Sequence, residues 1–113
     1  MPSCWIEVDL NAIENNYRAI REVCGESVAI IAIVKANAYG HGAVEVAKTL
    51  SQAGAEYLAV TRLEEAIPIR EAGVLAPLML LAPALPDEVS EVVAQNLTEI
   101  GRASCRERVS SKV

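Results

Sequence analysis

The sequence predicts an α/β fold built around a parallel sheet. Three observations carry that prediction. Val28-Ala29-Ile30-Ile31-Ala32-Ile33-Val34 is an unbroken, β-branched apolar run, the pattern of a strand buried on both faces of a parallel sheet. Strand, turn and helix signals then recur about every 25 residues, the rhythm of βα units. Ala, Val, Ile and Leu must fill the core, because the chain has no Phe and one Trp.

The elements follow in order. Ile6, Val8 and Leu10 alternate with Glu7 and Asp9, the period of a half-buried strand. Asn11 reads as an N-cap with Glu14 as its capping-box partner. Ile13, Tyr17, Ile20 and Cys24 follow at helical spacing, and Gly25 suits a C-terminal cap, so a helix is predicted over 12–23. The apolar run ends abruptly at Lys35. The turn Asn37-Ala38-Tyr39-Gly40-His41-Gly42 leads into a predicted helix from Ala43 to Ala53, closed by Gly54. Tyr57 to Val60 reads as a short strand. Thr61 and Glu64 read as a capping box for a helix ending at Ala72 and Gly73, with Pro68 predicted to kink it. Leu78 to Ala82 is a third strand. Pro86, Asp87 and Glu88 suit a first helical turn, and Asn96-Leu97-Thr98 looks like the onset of a fourth strand. Two closures fit this pattern, an open doubly wound sheet or a (β/α)8 barrel. The first βα turn lacks GxGxxG and a lysine-bearing phosphate loop, which weakens the nucleotide-binding version of the open sheet.

Composition narrows the function. Ten basic and fifteen acidic residues give a net charge of −5, which argues against a nucleic-acid partner. No run approaches the ~20 apolar residues of a membrane span, and the first residues lack a signal-peptide layout. Cys4, Cys24 and Cys105 have no metal-ligand spacing and leave one unpaired. No metal is expected, and a reduced, cytoplasmic setting fits.

Lys35 is the candidate for chemistry. It lies at the carboxyl end of an apolar strand, the edge where parallel α/β folds collect ligands and catalytic groups. A lysine partly withdrawn from water becomes a nucleophilic amine, as Schiff-base chemistry with a carbonyl requires. On position alone, a lysine snorkelling out of a strand end stands as the competing reading. The Tyr39 hydroxyl is placed to donate to an anion near the following helix N-terminus; the competing reading is a tyrosine half-packed on a loop. His41, the only histidine, is an acid/base candidate by residue type, but reads rather as a structural or supporting residue. Cys4 and Cys24 read as packing residues. Glu64, Glu65 and Glu71, with Arg62 and Arg70, read as a solvated, ion-paired helix face.

The stretch Val34-Lys35-Ala36-Asn37-Ala38-Tyr39-Gly40-His41-Gly42 resembles the pyridoxal-phosphate attachment motif of alanine racemases. Trp5-Ile6-Glu7-Val8-Asp9-Leu10, with Ala12 and Asn16, resembles that family's N-terminal strand and first helix. Glu65-Ala66 and Ile69-Arg70-Glu71-Ala72-Gly73 resemble its segment after the second barrel strand, and Ala76-Pro77-Leu78-Met79-Leu80-Leu81 its next strand. The likeness runs from Trp5 to Thr98. It implies an α/β chain forming the N-terminal portion of a (β/α)8 TIM barrel, truncated after about three βα units. It also implies a homodimeric enzyme interconverting L-alanine and D-alanine, the latter supplied to the cell wall. Lys35 would hold pyridoxal 5'-phosphate and act as base on one face of the substrate Cα. Tyr39 would hydrogen-bond the cofactor phosphate. A second tyrosine from the partner subunit, in a region this chain lacks, would serve the opposite face. The ring-nitrogen arginine and later phosphate loops are also missing, so the fragment itself is expected to be inactive. A broad-specificity or serine or lysine racemase of the same fold, and a non-catalytic cofactor-binding barrel, remain alternatives.

The last fifteen residues differ in kind. Residues 99–113 carry four of the ten basic residues and two of the fifteen acidic ones, so the remainder holds 6 against 13, or −7. Glu99 to Val109 resembles translated read-through of a sequencing adapter. The expected organisation is therefore a barrel segment over 1–98 and a non-native tail over 99–113.

Overall fold

The computed structural model describes Cys4 and residues 6–99. Apart from Glu99, the expected tail lies outside the described residues. The elements are α1 (Leu10–Cys24), β1 (Ile31–Ile33), α2 (Lys35–Tyr39), α3 (Ala43–Ala53), β2 (Tyr57–Val60), α4 (Leu63–Glu71), β3 (Leu78–Leu80), a 3-10 turn (Pro86–Glu88), α5 (Val89–Ala94) and β4 (Leu97–Glu99). Glu99 closes β4, paired in register with Leu80.

All strand pairs are parallel, in the order β1-β2-β3-β4. An open doubly wound sheet reverses direction at a switch point. A barrel instead adds each strand to the same side of the last. The sequential order here is that of a barrel arc, which resolves the choice the sequence pattern leaves open.

Register divides the sheet into two faces. Leu58, Leu78 and Leu97 share one face, with Val60 and Leu80 beyond them. They are buried in one cluster with Tyr17, Val46, Ala47, Leu50, Ala66, Ile69 and Val92 from the helices. The other face carries Ile31, Tyr57, Ile33, Met79 and Thr98, and Ile31 and Ile33 remain 47% and 45% exposed. Within the described arc the expectation that this first strand is buried on both faces is not met: β1 is the edge strand of the described sheet, and only the Ile30, Ala32 and Val34 step reaches the core.

The predicted N-terminal strand over Ile6–Leu10 does not form. Residues 6–9 have no regular structure, and Leu10 already belongs to α1. Alternation makes a strand only where a neighbour completes its ladder, and no described strand lies beside this segment. The N-cap is Asp9 rather than Asn11. Its Oδ1 accepts from the Asn11 and Ala12 N–H groups at 3.0 and 3.2 Å. Glu14 pairs instead with Arg18, one turn on, at 2.6 Å. Of the predicted apolar stripe, Tyr17 is buried and Ile13 half-buried against the core, whereas Ile20 and Cys24 are exposed. Cys4 is also exposed, so neither cysteine packs as expected.

Helix α4 opens one residue later than predicted. Arg62 is the N-cap residue, and the Glu65 carboxylate, not that of Glu64, accepts its N–H at 2.9 Å. The helix continues through Pro68. The Glu64 carbonyl, which loses its helical donor to the proline, belongs to a solvent-exposed residue, so the loss is tolerable. Only Leu78–Leu80 of the third predicted strand is regular, but Leu81 and Ala82 still donate to Val60 and Thr61 at 2.8 and 3.1 Å.

At the amino edge of the sheet, Arg21 ties α1 to β2. It donates to the Tyr17 hydroxyl at 2.9 Å, to the Val28 carbonyl at 2.7 Å and to the Glu56 carboxylate. Glu56 also accepts the Ile30 N–H at 2.8 Å. That N–H and the Arg21 guanidinium hold the Glu56 carboxyl below the usual carboxylate range. A lowered folded pKa contributes stability above the unfolded pKa of about 4.3, and this contribution is lost as pH falls through the folded value. Glu56→Gln removes that titration. Its acid unfolding curve is expected to fall less steeply below about pH 4 than the parent's, as followed by circular dichroism. Identical acid limbs would sink the assignment.

Candidate active site

The site begins where β1 ends. Val34 is buried, and its N–H donates to the Ala59 carbonyl at 2.8 Å. Lys35 follows directly, half-buried at the carboxyl edge of the sheet. Among the described residues its amine has no ion-pair or hydrogen-bond partner.

The chain then turns left-handed. Ala36, Asn37, Ala38 and Tyr39 have φ of 52°, 56°, 55° and 56°. Each such non-glycine residue costs roughly 1–2 kcal/mol. A run of four persists only because its surroundings over-determine it. The Ala38 N–H donates to the Val34 carbonyl at 2.9 Å, and the Gly42 N–H to the Asn37 carbonyl at 2.9 Å. Asn37 Oδ1 accepts the Ala43 N–H at 2.8 Å, filling the first orphan donor of α3. Gly40 and Gly42, at φ 91° and 93°, supply the positive angles that let the turn exit into α3. The sequence marks this segment as a glycine-containing turn. Its handedness is not marked, because alanine and tyrosine seldom enter that region.

Tyr39 ends the turn and is 60% exposed. Of the orphan donors at the α3 N-terminus, where an anion beside Tyr39 is expected, the Ala43 N–H is taken by Asn37 Oδ1. His41 Nδ1 lies 3.0 Å from the Ala38 carbonyl, which agrees with a structural part in the turn.

Glu65 is the residue that sequence reasoning missed. It was expected on a solvated, ion-paired face, yet among the described residues none of Arg62, Arg70, Glu64, Glu65 and Glu71 forms an ion pair with another. Glu65 Oε2 accepts the Ala36 N–H at 2.7 Å, and Oε1 accepts Thr61 and Arg62, each at 2.9 Å. Partial burial pushes its carboxyl pKa up, but the three backbone donors outweigh this and hold it below the usual range. Its position three residues after the N-cap is a sequence signal for the backbone contacts within its own loop. Arg70 is likewise unpaired with a carboxylate, and it donates to four backbone carbonyls at the amino edge.

A cleft of about 550 Å³ lies at the amino edge, lined by Arg18, Arg21, Glu22 and Glu56 among others. Its central cation, Arg21, is already engaged, and this edge of a barrel serves stability rather than chemistry. Lys35, the candidate for chemistry, is on the opposite edge.

A parallel sheet wound as a barrel arc, carrying at its carboxyl edge a lysine with no partner among the described residues, defines the class of fold, a segment of an α/β barrel. Comparison makes the family specific. The description "Alanine racemase, N-terminal domain" matches residues 8–101. The alanine racemase of Desulforamulus reducens is 46% identical over 94 residues, covering 83% of this chain and 25% of that protein. That of Synechocystis is 47% identical over 90 residues, covering 80% and 24%. The crystal structure of alanine racemase from Bacillus anthracis with bound L-Ala-P superposes with a TM-score of 0.80 at 42% identity, covering 88% of this chain and 26% of that one. The Clostridium difficile enzyme gives 0.81 at 35%, covering 84% and 25%. The chain therefore belongs to the alanine racemase N-terminal domain family, and its fold is the first portion of that family's barrel. It spans about a quarter of the length of the relatives it matches.

Proposed function

We propose that the whole protein to which this segment belongs interconverts L-alanine and D-alanine with pyridoxal 5'-phosphate held on Lys35, and so supplies D-alanine for peptidoglycan. The observation that carries this reading is Lys35, half-buried and without a partner among the described residues, at the carboxyl edge within the family-matched segment. The donor set fits the cofactor. A free primary amine suits its carbonyl, and the exposed hydroxyl of Tyr39, four residues on, suits its phosphate. Bound there, the cofactor supplies an electron sink for the pair left on Cα when its proton departs.

The residues of this chain do the rest of one half of the reaction. Lys35 would hold the cofactor through its amine and, when that amine is free, would take the proton from one face of the substrate Cα, as a positioned base must. Inversion needs a proton delivered to the opposite face. We assign that to a tyrosine of the partner subunit in a homodimer, outside this segment.

The test joins residues 1–99 to the Desulforamulus reducens enzyme in place of its own matching segment. With added pyridoxal phosphate, the chimera is expected to convert L-alanine to D-alanine, and the 113-residue chain alone to show no turnover. A soluble chimera that binds the cofactor without racemising alanine would overturn the proposal.

A further inference from the structure

We propose that Glu65 is a positioning residue for Lys35, a carboxylate clamp that keeps the lysine-bearing turn left-handed. The proposal rests on the assignment of Lys35 above.

The geometry is specific. One carboxylate joins two βα loops that are separated by 29 residues between Ala36 and Glu65. Its Oε1 is fixed by Thr61 and Arg62, at the start of its own helix. Its Oε2 is thereby presented to the Ala36 N–H at 2.7 Å. That N–H shares a peptide plane with the Lys35 carbonyl. With the Val34 N–H held by the Ala59 carbonyl on the strand side, fixing this plane anchors the chain on both sides of the Lys35 Cα, and with it the direction in which the lysine leaves the strand. Ala36 is also the first residue of the strained run, where a restraint counts most. A neutral amide cannot replace the carboxylate. Glutamine has one acceptor oxygen and would turn an NH2 donor toward one of the three N–H donors.

The test uses the 113-residue chain, its Glu65→Gln variant and Glu71→Gln as a control. Glu71 is exposed near the end of the same helix. Each is incubated with pyridoxal phosphate and reduced with borohydride, and the label on Lys35 is compared with that on Lys48 by peptide mass. Amide hydrogen exchange at Ala36 is measured alongside. The parent and Glu71→Gln are expected to label Lys35 in preference to Lys48 by about tenfold. In Glu65→Gln that ratio falls toward one and exchange at Ala36 quickens about tenfold. A ratio and an exchange rate both unchanged in Glu65→Gln overturn the proposal. Absence of any Lys35 preference in the parent overturns the cofactor assignment instead, and exchange at Ala36 then decides the clamp alone. Should Glu65→Gln lose its circular-dichroism signature, the same readings on Glu65→Asp decide. That variant keeps the charge but shortens the reach by one methylene, and partial retention of the Lys35 preference is the expected result.

Discussion

Lys35→Ala is expected to lower racemisation by the chimera at least about 10³-fold, the scale on which a positioned acid–base group acts. The loss is confined to chemistry. Lys35 is half-buried, and its amine holds no partner among the described residues, so removing it strands no buried polar group and the unfolding midpoint stays within experimental error. Lys35→Arg separates charge from covalent chemistry. It retains the cation but cannot form the carbon–nitrogen bond that would hold the proposed cofactor, and its guanidinium does not lose a proton near neutrality. It is therefore expected to be as inactive as the alanine variant. An added small primary amine restores part of the turnover of Lys35→Ala, and none of that of Lys35→Arg, whose side chain still fills the site. The readings are D-alanine formation and borohydride-stable label on the chain. A Lys35→Ala chimera that keeps a tenth of parental turnover would sink the assignment.

The parts of the fold legible in the sequence are those set by local pattern. Helix Ala43–Ala53 and strand Tyr57–Val60 lie where apolar spacing and flanking glycines put them. The βα rhythm points to a parallel sheet, though not to its closure, and Lys35 stands out because a charge ends an apolar run. What escaped depends on contacts distant in sequence. The strand over Ile6–Leu10 has the right alternation but no described neighbour to pair with. The exposure of Ile31 and Ile33 follows from β1 lying at the edge of the described sheet, which no property of the apolar run over Val28–Val34 could reveal. Glu65 and Arg70 share one helix with Glu64 and Glu71, and by spacing alone all four look alike. Only tertiary structure shows that two of them meet backbone groups from other loops.

Arg70 carries the largest expected effect on stability. Its Nε donates to the Gln95 carbonyl at 2.9 Å and its Nη2 to Asn96 at 3.0 Å, both in the loop before β4. Its Nη1 donates to Val74 and Ala76 at 2.9 and 2.7 Å, in the loop before β3. One rigid fork thus sets the entry of two adjacent strands. Burial lowers its pKa, but arginine stays charged in proteins. Bonds from a charged donor are worth more than neutral ones, and carbonyls stripped of a donor keep their desolvation cost. For a half-buried group we expect Arg70→Met to cost about 2–4 kcal/mol. In a domain near 100 residues this is a drop in Tm of roughly 10–20 °C. Methionine keeps much of the apolar stem, so the loss reports the guanidinium rather than packing. Arg70→Lys should fall between, because a single ammonium cannot span both loops. Arg18→Met breaks an exposed pair one helical turn apart and is expected to cost under about 0.5 kcal/mol, so the comparison separates backbone capping from surface charge. Arg70 also serves the sheet edge remote from Lys35. At temperatures where the Arg70→Met chimera is folded, its KM for alanine should match the parent's, and a shifted KM would show that the amino-edge loops reach the chemistry after all.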